Sequence, residues 1–274
     1  MITKVIQVAD IHIPNDISKR PYDKMLESFI KQLYKNEIEG GNPDEMRIVI
    51  CGDTFTNKIK ANNEAKAMFH MLLNYLNEFC RTYIIAGNHD MLENNHDRMD
   101  SINPTFEIEG AYDNIIYLDK YLDFKSGYVE DDNVIWALFS MHDNFAPANV
   151  EHSMYPNHRI IGLYHGDVKG AVTDVGRMTS DGIDTDYFSE CDCVMAGHIH
   201  KFQELKKNGV PIVYSGSLFQ KAEDENVTGH GYVVWNLEDM TYKHVEVEND
   251  YRIFKFKIND YEAFNNDVET LINL

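Results

Sequence analysis

One recurring pattern constrains the fold more than any other feature: a short apolar run that stops abruptly at Gly, Asp, Asn, Ser or His. Such runs occupy residues 4–9, 47–51, 83–86, 160–164, 193–196 and 210–214. Short runs rich in Val and Ile are typical of strands that are buried on both faces, as in the parallel part of a sheet. The polar residues that follow such strands meet at the carboxyl edge of the sheet, where α/β proteins place their sites.

Two segments between the early runs, residues 22–38 and 63–80, have helical patterns. In the second, Met68, Leu72 and Leu76 recur near the spacing of one helix face. Further strands are expected at residues 131–139, 231–235, 242–247 and 251–258. We therefore predict an α/β fold, a four-layer α/β/β/α sandwich in which helices flank two mixed sheets.

The length of 274 residues is enough for one large domain with a sizeable core. The chain contains no internal repeat and no low-complexity tract, so we assign residues 1–250 to that domain. Residues 251–274 are expected to begin a second, truncated or minimal segment, in which residues 260–274 have a helix-like pattern.

Composition places the protein among soluble globular chains, because 43% of its residues are apolar and no stretch reaches the roughly 20 apolar residues of a membrane span. The amino-terminal MITKVIQVADIH resembles a core strand rather than a signal peptide. The four cysteines form no C-x-x-C pair, which agrees with a reducing compartment. We expect a cytoplasmic protein that does not contact membranes.

The charge balance weighs against tight binding of nucleic acid by this chain alone. It has 25 basic and 45 acidic residues, a net charge of −20, whereas affinity for a phosphate backbone comes mainly from Lys and Arg. Some of the acidic residues are candidate metal ligands, and two bound divalent cations would restore about four positive charges there.

The polar residues after the apolar runs are those that bind divalent metals in hydrolytic sites: carboxylates, imidazoles and an amide. Asp53 stands alone after its run and is the natural carboxylate to bridge two ions. The candidate ligands are Asp10, His12, Asp53, Asn88, His165, His198 and His200.

Each motif is weak by itself, since Asp-x-His and Gly-Asp are common and GNHD (residues 87–90) suits a turn. The ordered set, with each motif at the end of an apolar run, favours a metal site. The seven histidines outside these motifs are expected at the surface or in the core, although His142 is a candidate for a supporting or substrate contact.

With these motifs assembled, the sequence resembles the calcineurin-like metallophosphoesterase superfamily. Within it, the chain is similar to the SbcD nucleases and their archaeal, eukaryotic (meiotic recombination eleven) and bacteriophage relatives. The resemblance covers about residues 1–247 and rests on VADIH (8–12), CGDTF (51–55), GHIH (197–200) and VYSGS (213–217). RMDSINPTF (98–106) is similar to the bacteriophage branch. Thr56 departs from the pattern, since relatives often have His or Asp there.

The resemblance implies a ligand assignment for two metal ions, with Mn²⁺ as the expected metal. One ion would be bound by Asp10, His12, Asp53 and His200, and the other by Asp53, Asn88, His165 and His198. His89 would face the leaving group, oriented by Asp90.

The same resemblance implies a DNA nuclease subunit for break processing or recombination in a bacterial cytoplasm, possibly encoded by a phage. Its expected partners are DNA, an SbcC-type ATPase and a second copy of the chain, which would dimerise through residues 22–38 and 63–80. Two alternatives stay open: an enzyme that hydrolyses a small nucleotide or other phosphate ester, and a catalytically inactive scaffold.

Overall fold

The computed structural model describes residues 1–255 with seven exceptions: Lys19, Ile59, Glu93, His96, Asp97, Glu109 and Asn208. The strands in this part of the chain are β1 (Lys4–Val8), β2 (Met46–Cys51), β3 (Thr82–Ile85), β4 (Ile115–Tyr117), β5 (Gly127–Asp131), β6 (Val134–Phe139), β7 (Arg159–His165), β8 (Cys193–Gly197), β9 (Gln203–Lys207), β10 (Val210–Tyr214), β11 (Gly231–Asn236) and β12 (Thr241–Glu246). The α-helices are α1 (Tyr22–Leu33), α2 (Asn63–Phe79), α3 (Asn103–Phe106) and α4 (Leu118–Tyr121).

The strands form two six-stranded sheets, in the orders β12-β11-β1-β2-β3-β4 and β5-β6-β7-β8-β10-β9. In the first sheet β1 to β4 are parallel, and β11 joins β1 antiparallel. In the second, β6, β7, β8 and β10 are parallel and the two edge strands are antiparallel. Both sheets are therefore mixed, which confirms the predicted fold class.

Helices α1 and α2 cover the outer face of the first sheet, where Leu26 and Leu72 are buried in the cluster that contains Ile48. The side chain of Asn62 caps α2 by accepting the Ala65 N–H at 2.9 Å. The outer face of the second sheet is covered by loops and by the 3₁₀ helix Thr185–Phe188.

The core between the sheets follows the alternation of side chains along each strand. In β1, Ile6 and Val8 face the helices, whereas Val5 faces the second sheet. Trp136 and Trp235 are fully buried between the sheets. Burial of one large apolar side chain stabilises the fold by about 1.5–3 kcal/mol, so this layer is a main source of stability.

One buried polar residue, Gln7, joins the two sheets within this apolar layer. Its Nε2 donates to the carbonyls of Ala196 (3.1 Å) and Val213 (2.8 Å) in the second sheet. Its Oε1 accepts the indole N–H of Trp235 at 2.9 Å. Because the amide is satisfied on both sides, it fixes the lateral position of the sheets without leaving an unpaired buried group.

A buried ion pair joins the two sheets at the amino ends of β2 and β6. Arg47 on β2 binds Asp131 on β5 through two hydrogen bonds of 2.6 and 3.0 Å. Arg81 and the hydroxyl of Tyr83 also donate to Asp131, each at 3.0 Å. Burial alone would raise the pKa of Asp131, but these donors outweigh burial and lower it.

The predicted helices correspond to α1, continued by a π-helical turn at Tyr34–Ile38, and to α2. The strand predicted at residues 131–139 corresponds to β6, which begins only at Val134; a turn separates it from β5, which ends at Asp131. Residues 251–255 do not form the predicted strand, while residues 256–274, with the predicted helix, lie outside the described part. The boundary at residue 250 stays a prediction. None of the helices that the structure describes has the length and apolar character needed to cross a bilayer.

Replacement of Asp131 by Ala should lower the free energy of unfolding by about 3–5 kcal/mol, because it leaves Arg47 charged, buried and unpaired. Since the folded pKa of Asp131 lies below its ordinary value, its contribution is present at neutral pH and is lost as the pH falls through that folded pKa. Urea denaturation at neutral and acidic pH measures both effects.

The matched control is Glu223→Ala, which breaks the exposed pair between Glu223 and Lys255 and should leave the free energy of unfolding nearly unchanged. Equal losses in the two variants would show that the buried ion pair has no special role.

Candidate metal centre

Five loops at the carboxyl ends of β1, β2, β3, β7 and β8 converge at one end of the two sheets. Their backbones are joined directly: the Asp10 N–H donates to the Gly52 carbonyl at 3.1 Å. The Gly166 N–H donates to the Gly197 carbonyl at 3.3 Å. The polar residues that interrupt the apolar runs therefore lie together, as the strand pattern predicts.

The first cluster of candidate ligands contains Asp10, His12 and His200. The Nε2 atoms of the two imidazoles lie 3.0 Å apart. Oδ1 of Asp10 lies 3.9 Å from Nε2 of His12 and 3.7 Å from Nε2 of His200. Three ligand-type atoms thus face one point.

The second cluster contains Asp53, His165 and His198, and Asn88 lies among them. Nε2 of His165 is 3.3 Å from Oδ1 of Asp53 and 3.2 Å from Oδ1 of Asn88. Nδ1 of His198 is 2.9 Å from the same amide oxygen. The structure thus brings all seven candidate ligands into two adjacent clusters, and their role as ligands stays a prediction.

Asp53 belongs to both clusters. While Oδ1 faces His165, Oδ2 lies 3.5 Å from Nε2 of His12. Oδ1 also accepts the backbone N–H of His89 at 2.7 Å. Burial alone would raise the pKa of Asp53, but the neighbouring imidazoles lower it, first of all that of His165. The carboxylate is therefore ionised and placed to bridge two cations.

The donor set fits two divalent metal ions, because it combines ionised carboxylates, imidazole nitrogens and one amide oxygen around two neighbouring points. Burial lowers the pKa of His165, but Asp53 outweighs it and raises the value to about 9. Binding of a metal at Nε2 would accordingly displace a proton.

Three of the four histidines are held by a contact through their second ring nitrogen. Nδ1 of His165 donates to the Cys51 carbonyl at 2.7 Å. Nε2 of His198 lies 3.6 Å from Asp167, and Nδ1 of His200 lies 2.6 Å from Oε1 of Glu225. Such contacts fix the ring orientation and the tautomer that exposes the other nitrogen to a metal. For His12, the buried Nδ1 has no hydrogen-bond partner among the described residues.

The backbone around the site tolerates little change. A Cβ added to Gly87 would overlap the backbone nitrogen and carboxylate of Asp53, and one at Gly197 would overlap the Cys51 carbonyl. Asp10, His12, Asp53 and His198 have φ values between 50° and 99°, a region that costs non-glycine residues about 1–3 kcal/mol each. The loops therefore approach one another closely, and several of their residues have a strained backbone conformation.

His89 lies at the edge of the site, with its ring centroid 5.0 Å from that of His12. Its Nδ1 donates to the Thr56 carbonyl at 2.8 Å, so this carbonyl orients the imidazole. The carboxylate of Asp90 instead accepts the N–H groups of Thr54, Phe55 and Gly87 at 2.9–3.1 Å. Asp90 therefore holds the loops that carry Asp53 and His89 rather than the ring. Its pKa is raised to about 8, first by burial and then by Asp53.

His142 supports β3 rather than the open site. Its Nε2 lies 3.4 Å from Asp100, and Asp119, which adjoins it, accepts the Ala86 N–H at 2.8 Å. Burial lowers the pKa of His142, but the hydrogen bond with Asp100 and the charge of Asp119 outweigh it and raise the pKa.

Three charged residues at the site were missed by sequence reasoning. Asp167 and Glu225 contact ligand histidines, and Nζ of Lys221 lies 3.2 Å from Nε2 of His12. Lys221 and Glu225 closely follow VYSGS (213–217), and this proximity is the one sequence signal that could have indicated them.

Comparisons with known proteins agree with this geometry. A family model described as "Calcineurin-like phosphoesterase superfamily domain" matches residues 4–240. "Uncharacterized protein R555" of Acanthamoeba polyphaga mimivirus is 32% identical over 267 residues, which are 94% of this chain and 19% of that protein. The chain thus spans about a fifth of the length of the curated relative that it matches.

Solved structures with similar folds include an archaeal phosphodiesterase, at 12% identity and a TM-score of 0.42, with 89% of this chain and 99% of that chain covered. A putative 5'-nucleotidase from Staphylococcus aureus, in complex with alpha-ketoglutarate, has 14% identity and a TM-score of 0.48, with 97% and 58% covered. Likenesses at these values carry no argument about activity.

Replacement of Glu225 by Gln should weaken metal binding by about 10–100-fold. The amide keeps the shape of the carboxylate, but it cannot accept both the His200 Nδ1–H and the Lys221 backbone N–H, which Glu225 accepts at 2.6 Å each. Calorimetric titration of the metal-free protein with Mn²⁺ measures the change.

The control is Glu223→Gln, which makes the same chemical change at an exposed position that contacts Lys255 and should leave metal affinity unchanged. Unchanged metal affinity in Glu225→Gln would contradict a role for Glu225 in orienting His200.

Proposed function

The chain belongs to the calcineurin-like phosphoesterase superfamily, and from this premise we propose that it is a two-metal phosphodiesterase that cleaves DNA. The bridging position of Asp53 carries the proposal. Its two oxygens lie 3.5 Å from Nε2 of His12 and 3.3 Å from Nε2 of His165, so one buried carboxylate serves both clusters. Two divalent cations at such a site, Mn²⁺ by our expectation, activate water and offset the charge of a phosphodiester.

The positions of the candidate ligands indicate which ion each would bind and where a substrate can enter. The candidate ligands of the first cluster, with Asp53, would hold one ion, and Asn88, His165 and His198, again with Asp53, would hold the other. His200 and His198 remain partly open to solvent, with side chains 17% and 30% exposed. The phosphate of a large substrate can therefore approach from this side.

His89 is the proposed general acid. Since Nδ1 donates to the Thr56 carbonyl, Nε2 is the nitrogen left to exchange a proton with the departing oxygen of the sugar. Asp90 acts as a positioning residue through the backbone of the two loops that it joins. A correctly placed acid contributes typically ~10²–10⁴-fold to the rate.

DNA is proposed as the substrate because the motifs resemble those of the SbcD-type nucleases. The bacteriophage-like segment 98–106 supports this loop system: the Ser101 N–H donates to the Asp90 carbonyl at 2.8 Å, and its hydroxyl donates to the Lys58 carbonyl at 2.9 Å. With a net charge of −20, the chain should bind DNA weakly by itself. An SbcC-type ATPase is therefore the proposed partner that holds the substrate.

A second candidate function is hydrolysis of a small nucleotide or other phosphate ester. It is favoured by the acidic rim of the cleft beside His198 and His200, where Asp174, Asp224 and Glu225 lie. Such a rim repels a polyanion more strongly than it repels a small ester.

Dimerisation also remains a proposal. The apolar stripe of α2 with Leu72 and Leu76 is buried on the chain's own sheet, so it is not available to a second copy. A dimer through this helix would use the opposite face, where His70, Met71 and Tyr75 lie.

Replacement of His89 by Gln should lower turnover about 10²–10⁴-fold with both metals retained, because the amide cannot deliver a proton. The assay is cleavage of end-labelled single- and double-stranded oligonucleotides with Mn²⁺, alongside hydrolysis of bis-para-nitrophenyl phosphate and calorimetric metal titration.

The control is His70→Gln, the same change on the exposed side of α2, where His70 contacts Tyr112. Turnover of the small diester without cleavage of either oligonucleotide would favour the second function. Loss of metal in His89→Gln would make His89 a ligand, and absence of any metal-dependent hydrolysis by the wild type would reject both functions.

A further inference from the structure

The segment Gln220–Glu225 forms a braced turn beside the first ligand cluster. Oε2 of Glu225 accepts the backbone N–H of Lys221, while Oε1 contacts His200, both at 2.6 Å. The side chain of Gln220 holds the turn from the other side, through bonds to the backbone of Ile253 at 2.8 and 2.9 Å. These bonds therefore fix the backbone of Lys221 relative to His200.

The ammonium of Lys221 points into the site. Nζ lies 3.2 Å from Nε2 of His12, the same nitrogen that lies 3.0 Å from Nε2 of His200. This is the one hydrogen-bond contact of the ammonium among the described residues. The negative charges of Asp53, Asp10 and Glu225 attract it.

This contact cannot persist when His12 Nε2 binds a divalent cation. The lone pair that accepts from the ammonium would then be used by the metal, and two like charges would lie close together. The Lys221 stem is flexible beyond its fixed backbone, so the ammonium can move toward an anion that enters on the same side. In a phosphoesterase, the anion that approaches this point is the phosphate of the substrate.

We propose that Lys221 binds a non-bridging oxygen of the substrate phosphate beside the first cluster, with Glu225 as the residue that positions it. The proposal rests on the phosphoesterase function proposed above, and it adds a specific contact to it. Lys221 then offsets part of the negative charge of the phosphate, in a chain whose own net charge is −20.

Other basic groups near this turn are already engaged. Arg20 donates to the carbonyls of Gln220 (2.5 Å) and Tyr251 (2.7 Å). Lys255 forms an exposed ion pair with Glu223 at 2.7 Å. Lys221 is distinguished from both by its contact with a candidate metal ligand.

The test compares Lys221→Met with Lys221→Arg and uses inorganic phosphate as the probe. Calorimetric titration first measures Mn²⁺ binding, which should be retained or strengthened, because no ligand is removed and a nearby positive charge is lost. Titration of the Mn²⁺-loaded protein with phosphate should show affinity about tenfold or more weaker in Lys221→Met, the size expected for a lost charged hydrogen bond. Lys221→Arg should recover most of the affinity, since it restores the charge.

Lys255→Met is the matched control, because it removes the same charge near the same turn and should leave phosphate affinity unchanged. With bis-para-nitrophenyl phosphate, kcat/KM of Lys221→Met should fall by a factor similar to that of phosphate affinity. A fall confined to KM would place the contact in the bound substrate, whereas a fall in kcat would place it in the transition state; each supports the proposal.

Unchanged phosphate affinity in Lys221→Met, an equal loss in Lys255→Met, or loss of bound metal in Lys221→Met would each overturn the proposal. So would failure of the Mn²⁺-loaded wild type to bind phosphate. If the wild type binds phosphate through Lys221 but hydrolyses no diester, the proposed phosphodiesterase activity is wrong, whereas the proposed contact between Lys221 and phosphate is supported.

Discussion

The site depends on the carboxylate of Asp53, which touches three separate loops. It faces His12 and His165 at 3.5 and 3.3 Å and accepts the backbone N–H of His89 at 2.7 Å. These contacts require the β3 loop to approach the β2 loop so closely that Gly87 has no room for a Cβ. Asp53 itself adopts a left-handed conformation, with φ at 52°. The unusual backbone is therefore a consequence of bringing one carboxylate within reach of both clusters.

This arrangement concentrates negative charge in a place that water hardly reaches. Asp10, Asp53 and Asp90 are all at most 1% exposed. Burial, followed by the charge of Asp53, raises the pKa of Asp90 to about 8, and burial also raises the pKa of Asp10. Without metal ions, these carboxylates are balanced by neighbouring imidazoles such as that of His165, whose pKa is raised to about 9, and bound cations would take over that role. The donor set is thus better explained by bound metal ions than by stability of the fold.

Sequence reasoning succeeded where local pattern determines the outcome. Buried strands such as β2 and β8 are visible as apolar runs, and the candidate ligands follow them directly. It failed where the outcome depends on contacts between distant segments. One miss was local: the strand predicted at residues 131–139 includes the turn-type residues Asp132 and Asn133, and Asp132 adopts a positive φ. Glu225 and Lys221 have no signal beyond their proximity to VYSGS, since their role arises from a fold that brings them to His200 and His12.

Stability and chemistry occupy different ends of the same two sheets. The ion pair of Arg47 and Asp131 lies at the amino ends of β2 and β6, whereas the strained loops and like charges lie at the carboxyl ends. Between them, the amide of Gln7 fixes the sheets to each other. Strain of about 1–3 kcal/mol per residue persists only where the surroundings determine the conformation. The Arg47–Asp131 ion pair and the Gln7 amide therefore hold the two sheets together at their amino ends and in the middle. This support allows the carboxyl ends of the strands to carry a crowded, acidic and strained site.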